Sequence, residues 1–180
     1  GMYLLVVSTD LEATLSMYEV ETGTVVFTRP LLLGPRVAMD TVIDVMFTKS
    51  SSLFAVSSST RGLSFFIEEG GSFMGPTGLK AYEERTGLYH SVGKAAEGVP
   101  ITELCRFEKP EELVAGTLNG QILLWRGRTC AQLVDGSGSR AAAINALDFN
   151  VTSMTLISGN VDGVISMYSI AAAVVPKSTR

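Results

Sequence analysis

Short apolar runs broken by turn residues recur along the chain. Residues 113–125 read "LVAGTLNGQILLW": an apolar run, the turn Asn119-Gly120, then a second run ending in the only Trp. Asn-Gly between apolar runs predicts a β-hairpin, because both residues tolerate positive φ. The scheme returns in residues 155–168, "TLISGNVDGVISMY", around Asp162-Gly163, and Gly163 precedes Tyr168 by the same step as Gly120 precedes Trp125. It returns again in "LFAVSSSTRGLSFF", residues 53–66, with a turn one residue shorter, and in "LLVVSTDLEATLSMY", residues 4–18.

The copies align on an aromatic column, Tyr18, Phe66, Trp125 and Tyr168, and three are preceded by a second column, Phe47, Phe107 and Phe149. Each copy reads as a strand ending in Phe, an apolar strand, a turn and an aromatic strand. Fourth strands are predicted at residues 24–29 and 129–134. Spacings of roughly 42 to 60 residues, made only of short strands, point to the blades of a β-propeller. The pattern has a physical reason. A four-stranded blade cannot bury both faces alone, so its central strands are apolar on both sides and pack between neighbours. Ala115, Gly116, Ser158 and Gly159 would let sheets approach closely near the ring axis. The fold expected is therefore all-β, a propeller fragment of about four WD-like four-stranded blades spanning 3–176. The blades are 3–30, 41–92, 100–135 and 142–170, with residues 1–2 read as a tag remnant. A β-sandwich also has short strands and regular turns; it is the alternative, and it does not require repeated columns.

Residues 67–100 stretch one repeat and are punctuated by Gly and Pro. Within them "LKAYEERTG" could form a helical turn, the fourth strand is placed at 86–92, and 67–85 is read as an insertion. Long insertions between blades are surface loops and at times binding loops. Deleting 72–85 is expected to leave the fold and weaken partner binding.

The segment "VAGTLNGQILLWRGRTCAQLV", with "INALDF" and "LISGNVDGVISMYSI" after it, resembles the atypical WD blades of the echinoderm microtubule-associated-protein-like family. The match falls on Gly116, Thr117, Gly120, Ile122, Leu124, Trp125, Arg126 and Gly127. "LSFFIEEGGSFMGPTG" is similar to the preceding blade of that family. The likeness covers about residues 53–170 and is most specific over 113–134. The chain departs from the family pattern where "GSGSRAAAI" replaces a His-x-Gly-Pro-Val element; no His stands where a WD hydrogen-bond tetrad needs one, although Asp148 and Asp162 remain. The resemblance implies a cytoskeletal or ciliary scaffold in the cytoplasm that touches tubulin or other proteins.

Composition narrows the function. The chain has 180 residues, 46% hydrophobic and 18% charged, with a net charge of −4. That is too apolar for disorder, and it lacks the clustered Lys and Arg of a nucleic-acid surface. No run reaches the ~18 apolar residues of a membrane-spanning helix. Cys105 and Cys130 form no CxxC pair, which favours buried reduced thiols over a zinc site.

Candidate chemistry is sparse. Gly136, Gly138 and Ala141 match G-x-G-x-x-A after a strand, the start of a dinucleotide fingerprint, so a nucleotide-binding enzyme using residues 136–141 is the alternative function. That reading needs a helix where the repeat places a strand. His90 has no second His or Asp partner for a triad or metal. Glu68-Glu69 and Glu83-Glu84 read as solvated charge, and the Ser clusters at 50–52 and 57–59 lack an activating base. No catalytic, cofactor or metal residue is assigned. The interaction candidates are the turns Asn119, Gly120, Asp162 and Gly163 and the basic pair Arg126 and Arg128. With Arg106 that pair forms a spot suited to an acidic protein.

With strands labelled a, b, c and d from the axis outward, the chain opens on strand b and closes on strand c. Two apolar blade faces would then be open, and the isolated chain is expected to self-associate through them or to exchange strands at the free edges.

Overall fold

The computed structural model describes residues 2–9, 12–31, 40–49, 53–60, 62–68, 82–86, 99–134 and 142–170, with backbone alone at 82–86 and 131–134. The described residues form strands and turns, with one residue, Ile170, in a helical turn. The strands group into four consecutive antiparallel sheets. Blade 1 is β1 (Tyr3–Val7), β2 (Thr14–Glu19) and β3 (Val25–Pro30). Blade 2 is β4 (Val42–Phe47), β5 (Leu53–Ser58), β6 (Gly62–Glu68) and β7 (Tyr82–Thr86). Blade 3 is β8 (Ile101–Arg106), β9 (Glu112–Thr117), β10 (Ile122–Arg126) and β11 (Thr129–Val134). Blade 4 is β12 (Ile144–Asn150), β13 (Thr155–Asn160) and β14 (Ile165–Ser169). Each sheet is a meander in chain order, as short turns between apolar runs require. The first strands, β4, β8 and β12, lie against one another from blade to blade.

This is a propeller arc and not a sandwich, because the apolar residues divide into three cores, one between each pair of adjacent sheets. Leu15, Met17 and Phe27 of blade 1 meet Phe54, Val56 and Phe66 of blade 2. Leu53, Ala55, Leu63 and Phe65 of blade 2 meet Leu104, Leu113, Leu123 and Trp125 of blade 3. Val114, Ile122 and Leu124 of blade 3 meet Ile144, Phe149 and Leu156 of blade 4. Strands β5 and β9 are consequently buried at every residue. In the end blades the strands alternate instead, half-buried and exposed in β1 and in β14.

The register shows what the aromatic column is for. Leu4 pairs with Tyr18, Phe54 with Phe66, Leu113 with Trp125 and Leu156 with Tyr168. These four pairs are equivalent, and those of blades 2, 3 and 4 aim at the blade that precedes them in the chain. Phe66 sits edge-on to Phe27 of blade 1 at 6.4 Å, and Trp125 lies 5.4 Å from Phe65 of blade 2. Strand a carries a bulge at the same place in blades 2, 3 and 4, after Val42, Ile101 and Ile144. Such a bulge adds local twist where the blades converge.

Polar and close contacts clamp neighbouring blades near the axis. The Leu104 N–H of blade 3 donates to the Asp44 carboxylate of blade 2 at 2.9 Å. The Thr102 hydroxyl of blade 3 donates to the Ile144 carbonyl of blade 4. A Cβ on Gly116 would stand 2.5 Å from Ile144 Cγ2, so only glycine lets β9 approach β12 this closely. Gly159 has ordinary space: a Cβ there would meet Ala146 at 3.6 Å. Burial pushes Asp44 above the usual carboxylate range against its two backbone hydrogen bonds. Glu103 is raised by burial and then by the charge of Asp44.

Three expectations change. The fourth strand of blade 2 is β7, over Tyr82–Thr86, and not 86–92. Deleting 72–85 would therefore remove most of this strand. The same residues, part of "LKAYEERTG", are extended rather than helical, because the open edge of β6 pairs them from Ser64↔Thr86 to Glu68↔Tyr82. Of the two aromatic columns, Phe66, Phe107, Trp125 and Phe149 are buried, while Tyr18, Phe47 and Tyr168 are half-buried. Tyr18 is left so because the described residues place no blade before blade 1.

This packing sets three measurable outcomes. Trp125→Ala should lower the unfolding free energy in urea by ~3–5 kcal/mol, the transfer loss plus a cavity between blades 2 and 3. Gly116→Ala should cost about 1–3 kcal/mol by overpacking, whereas Gly159→Ala should leave the midpoint nearly unchanged. Glu103→Gln tests the acidic pair. A carboxyl whose folded pKa is raised stabilises fully only below its unfolded value, and that contribution is lost as pH rises through the folded pKa. The variant should therefore melt above the parent at pH 7, and the advantage should vanish below the ordinary glutamate pKa of 4.5.

Candidate functional site

A meander of four strands sends its turns to two opposite ends, and this sorts the candidate residues. The turns between strands b and c lie at the end where each strand a begins. Backbone bonds tie them there: Ser59 N to Thr41 O, Leu118 N to Pro100 O and Val161 N to Ala143 O. Asn119, Gly120, Asp162 and Gly163 belong to this end. Arg126 and Arg128 sit at the other end, beside the turns between strands a and b. The six candidates therefore make two separate surfaces and not one site.

At the b–c end the turns are fixed by backbone geometry and local hydrogen bonds. Gly120 and Gly163 hold φ near +80° and +76°, the left-handed conformation a side chain resists. The Asn160 side-chain oxygen accepts from Asp162 N at 3.1 Å and Val164 N at 2.9 Å, an Asx turn. The Thr117 hydroxyl lies 2.6 Å from Asn119 Oδ1 and accepts from Gln121 N at 2.9 Å. Asn119 is half-buried and Gly120 buried, so their part is to shape the turn. The exposed tips are instead Leu118 and Val161, 53% and 61% exposed, with Asp162 exposed beside Val161. Sequence reasoning missed both apolar tips. The available signal was an apolar residue directly before each Asn-Gly or Asp-Gly, where a turn normally carries polar side chains.

At the opposite end the arginines are mostly engaged. Arg126 Nε pairs with Glu112 Oε1 at 2.8 Å, and that carboxylate is 4% exposed. Lys109 stands 3.8 Å from the same oxygen. Arg106 Nε donates to the Phe47 carbonyl of the neighbouring blade at 3.1 Å. Arg128 is half-buried in the β10–β11 turn. A buried carboxylate that already holds Arg126 makes this end a structural clamp more than an open cationic spot.

Chemistry-bearing groups elsewhere have structural work. Cys105 and Cys130 are free and buried. Burial foremost, with the charge of Asp148 adding to it, pushes the Cys105 thiol up to about 11, so it stays protonated and poorly nucleophilic at neutral pH. Ser57 and Ser58 are buried in β5. Among the described residues no group of three His, Cys, Asp or Glu could hold a metal ion. A notch of about 20 Å³ between blades 3 and 4, lined by Gly120, Ala142, Asn160, Val164 and Tyr168, has room for a water and not for a nucleotide. Residues 135–141, with the Gly-rich stretch 136–141, lie outside the described residues, as do His90, residues 50–52 and residues 69–81 of the insertion. Strand β12 comes after the Gly-rich stretch, in place of the helix that a dinucleotide fingerprint needs to receive a pyrophosphate. Residues 144–150 are thus a strand and not the helix of that fingerprint. Asp148, a remnant of the tetrad pattern, is exposed and accepts from Phe149 N at 2.9 Å.

No family model matches the chain, and no curated protein does. Solved structures do match it. The β-propeller domain of Cps50 (Swd1) from Myceliophteria thermophila superposes with a TM-score of 0.63 at 14% identity, over 93% of this chain and 50% of that one. A chain of the mitotic checkpoint complex gives 0.60 at 17%, over 99% and 46%. The computationally designed Ika4 protein gives 0.54 at 20%, over 91% and 84%. The chain thus spans about half the length of the first two. At these identities the likeness is one of fold, that of consecutive blades of a β-propeller.

Proposed function

We propose that the chain is a non-catalytic protein-interaction scaffold whose partners dock on the b–c turn end. The observation that carries this is the pair of exposed apolar tips, Leu118 and Val161, held on hydrogen-bonded turns of adjacent blades with Asp162 exposed next to Val161. Rigid, pre-organised apolar tips lose little freedom on binding. The neighbouring carboxylate suits a partner that sets a basic residue beside an apolar one. The likeness of residues 113–134 to echinoderm microtubule-associated-protein-like blades supports a cytoplasmic partner on the cytoskeleton or cilium, tubulin first.

Two measurements test the reading. Purified chain should pellet with taxol-stabilised microtubules, and chain that stays in the supernatant removes tubulin as the partner. The double variant Leu118→Asp/Asp162→Lys should keep the parent melting temperature and lose at least tenfold in captured partner from a ciliated-cell lysate. Capture unchanged by the variant sinks the b–c end as the docking surface.

A further inference from the structure

The seam between blades 3 and 4 departs from the repeat at one pair of positions. Leu156↔Tyr168 in blade 4 is equivalent to Leu113↔Trp125 in blade 3. Two residues further on, Ser158↔Ser166 is equivalent to Ala115↔Leu123. In blade 3 this pair is apolar, and both members are fully buried in the core shared with blade 2. Blade 2 holds Val56↔Ser64 at the same place. Of these three blades only blade 4 sets two hydroxyls there, on the face that Leu156 turns to blade 3.

The notch of about 20 Å³ between blades 3 and 4 lies at this pair. Ser158, Asn160, Val164, Ser166 and Tyr168 line it from blade 4, and Gly120 lines it from the β9–β10 turn of blade 3. Ser158 is only 3% exposed. Among the described residues neither serine hydroxyl has a hydrogen-bond partner. Asn160 gives its side-chain oxygen to the amides of Asp162 and Val164, which leaves its NH2 group to donate elsewhere.

A buried hydroxyl without a partner is costly, and such groups are satisfied by protein or by ordered water. No Asp, Glu, Lys, Arg or His lines the notch, so an ion would meet no opposite charge there. The volume admits one water and little more. Residues directly opposite on neighbouring strands have Cβ atoms about 4.5–5.5 Å apart. One water between two hydroxyls closes that gap with two hydrogen bonds of about 2.8 Å. We infer that the seam binds a single ordered water, held by the Ser158 and Ser166 hydroxyls and the Asn160 NH2 group. This water takes the place of the side chain that Leu123 supplies between blades 2 and 3. It lies between the turns of Gly120 and Asn160, and so joins the two turns whose tips are Leu118 and Val161. Its binding does not depend on what docks at those tips.

Oxygen-17 relaxation dispersion of the solvent tests this on the full chain. It counts the waters that a protein holds longer than it tumbles, and exchanging hydroxyl protons do not disturb it. Ser158→Ala/Ser166→Leu installs the pair of blade 3. It should hold one long-lived water fewer than the parent, with the far-UV spectrum retained. Ser158→Ala/Ser166→Val stands in if the leucine variant does not fold. An equal count in the parent and a folded variant overturns the assignment. A crystal structure of the parent should show one water within about 2.5–3.0 Å of both hydroxyls. A protein side chain that fills the notch overturns the assignment as well, and so does either hydroxyl bonded to a protein carbonyl in place of water.

Discussion

A sheet that is apolar on both faces cannot exist alone in water, and the rest of this structure depends on that constraint. Strands β5 and β9, buried at every residue, have no solvent side at all. Their only stable setting is between two other sheets. Satisfying one blade therefore demands a second, which demands a third, and the demand passes along the chain until it reaches an end. The closeness of the stack is decided by a few positions. Gly116 admits Ile144, and Asp44 reaches across to the Leu104 amide. Burial of the Asp44 carboxyl outweighs its backbone hydrogen bonds and displaces its pKa upward, and Glu103 is raised first by its own burial and then by the charge of Asp44.

Binding surfaces lie where this constraint is released. The turns at the ends of the strands bear no load from blade stacking. They need only close a hairpin, which Gly120, Gly163 and the Asn160 side chain do with backbone geometry and local hydrogen bonds. That leaves Leu118 and Val161 outside any core and facing solvent. The opposite end is knit together by Glu112 with Arg126, and by Arg106 reaching to blade 2. A chemical centre would need convergent polar groups in a cleft. The described residues instead spend their polar groups on turns and on contacts between blades.

Much of the architecture was legible in the chain. The spacing of Tyr18, Phe66, Trp125 and Tyr168 located strand c in every blade, because that position must carry a large side chain to fill the gap to the preceding sheet. Asn119-Gly120 and Asp162-Gly163 marked hairpins because left-handed backbone restricts residue choice severely. Other features left no such mark. Strand β7, "YEERT", has no apolar alternation; it is a strand because β6 offers it an edge, and pairing at an edge tolerates charged residues. The Gly-x-Gly pattern at 136–138 resembles the start of a nucleotide fingerprint, and only the structure shows that residues 144–150 beyond it form a strand and not a helix.

The sequence by itself determined the repeat, the strand order within each blade and the two-sided apolar character of the sheets, since these are periodicities that local residue choice must express. Tertiary structure alone decided which of those apolar faces are covered. Phe65 and Met167 hold equivalent positions, yet one is fully buried and the other is 70% exposed. Burial is a property of the neighbour and not of the residue, and the neighbour's distance is set by the summed packing of whole sheets.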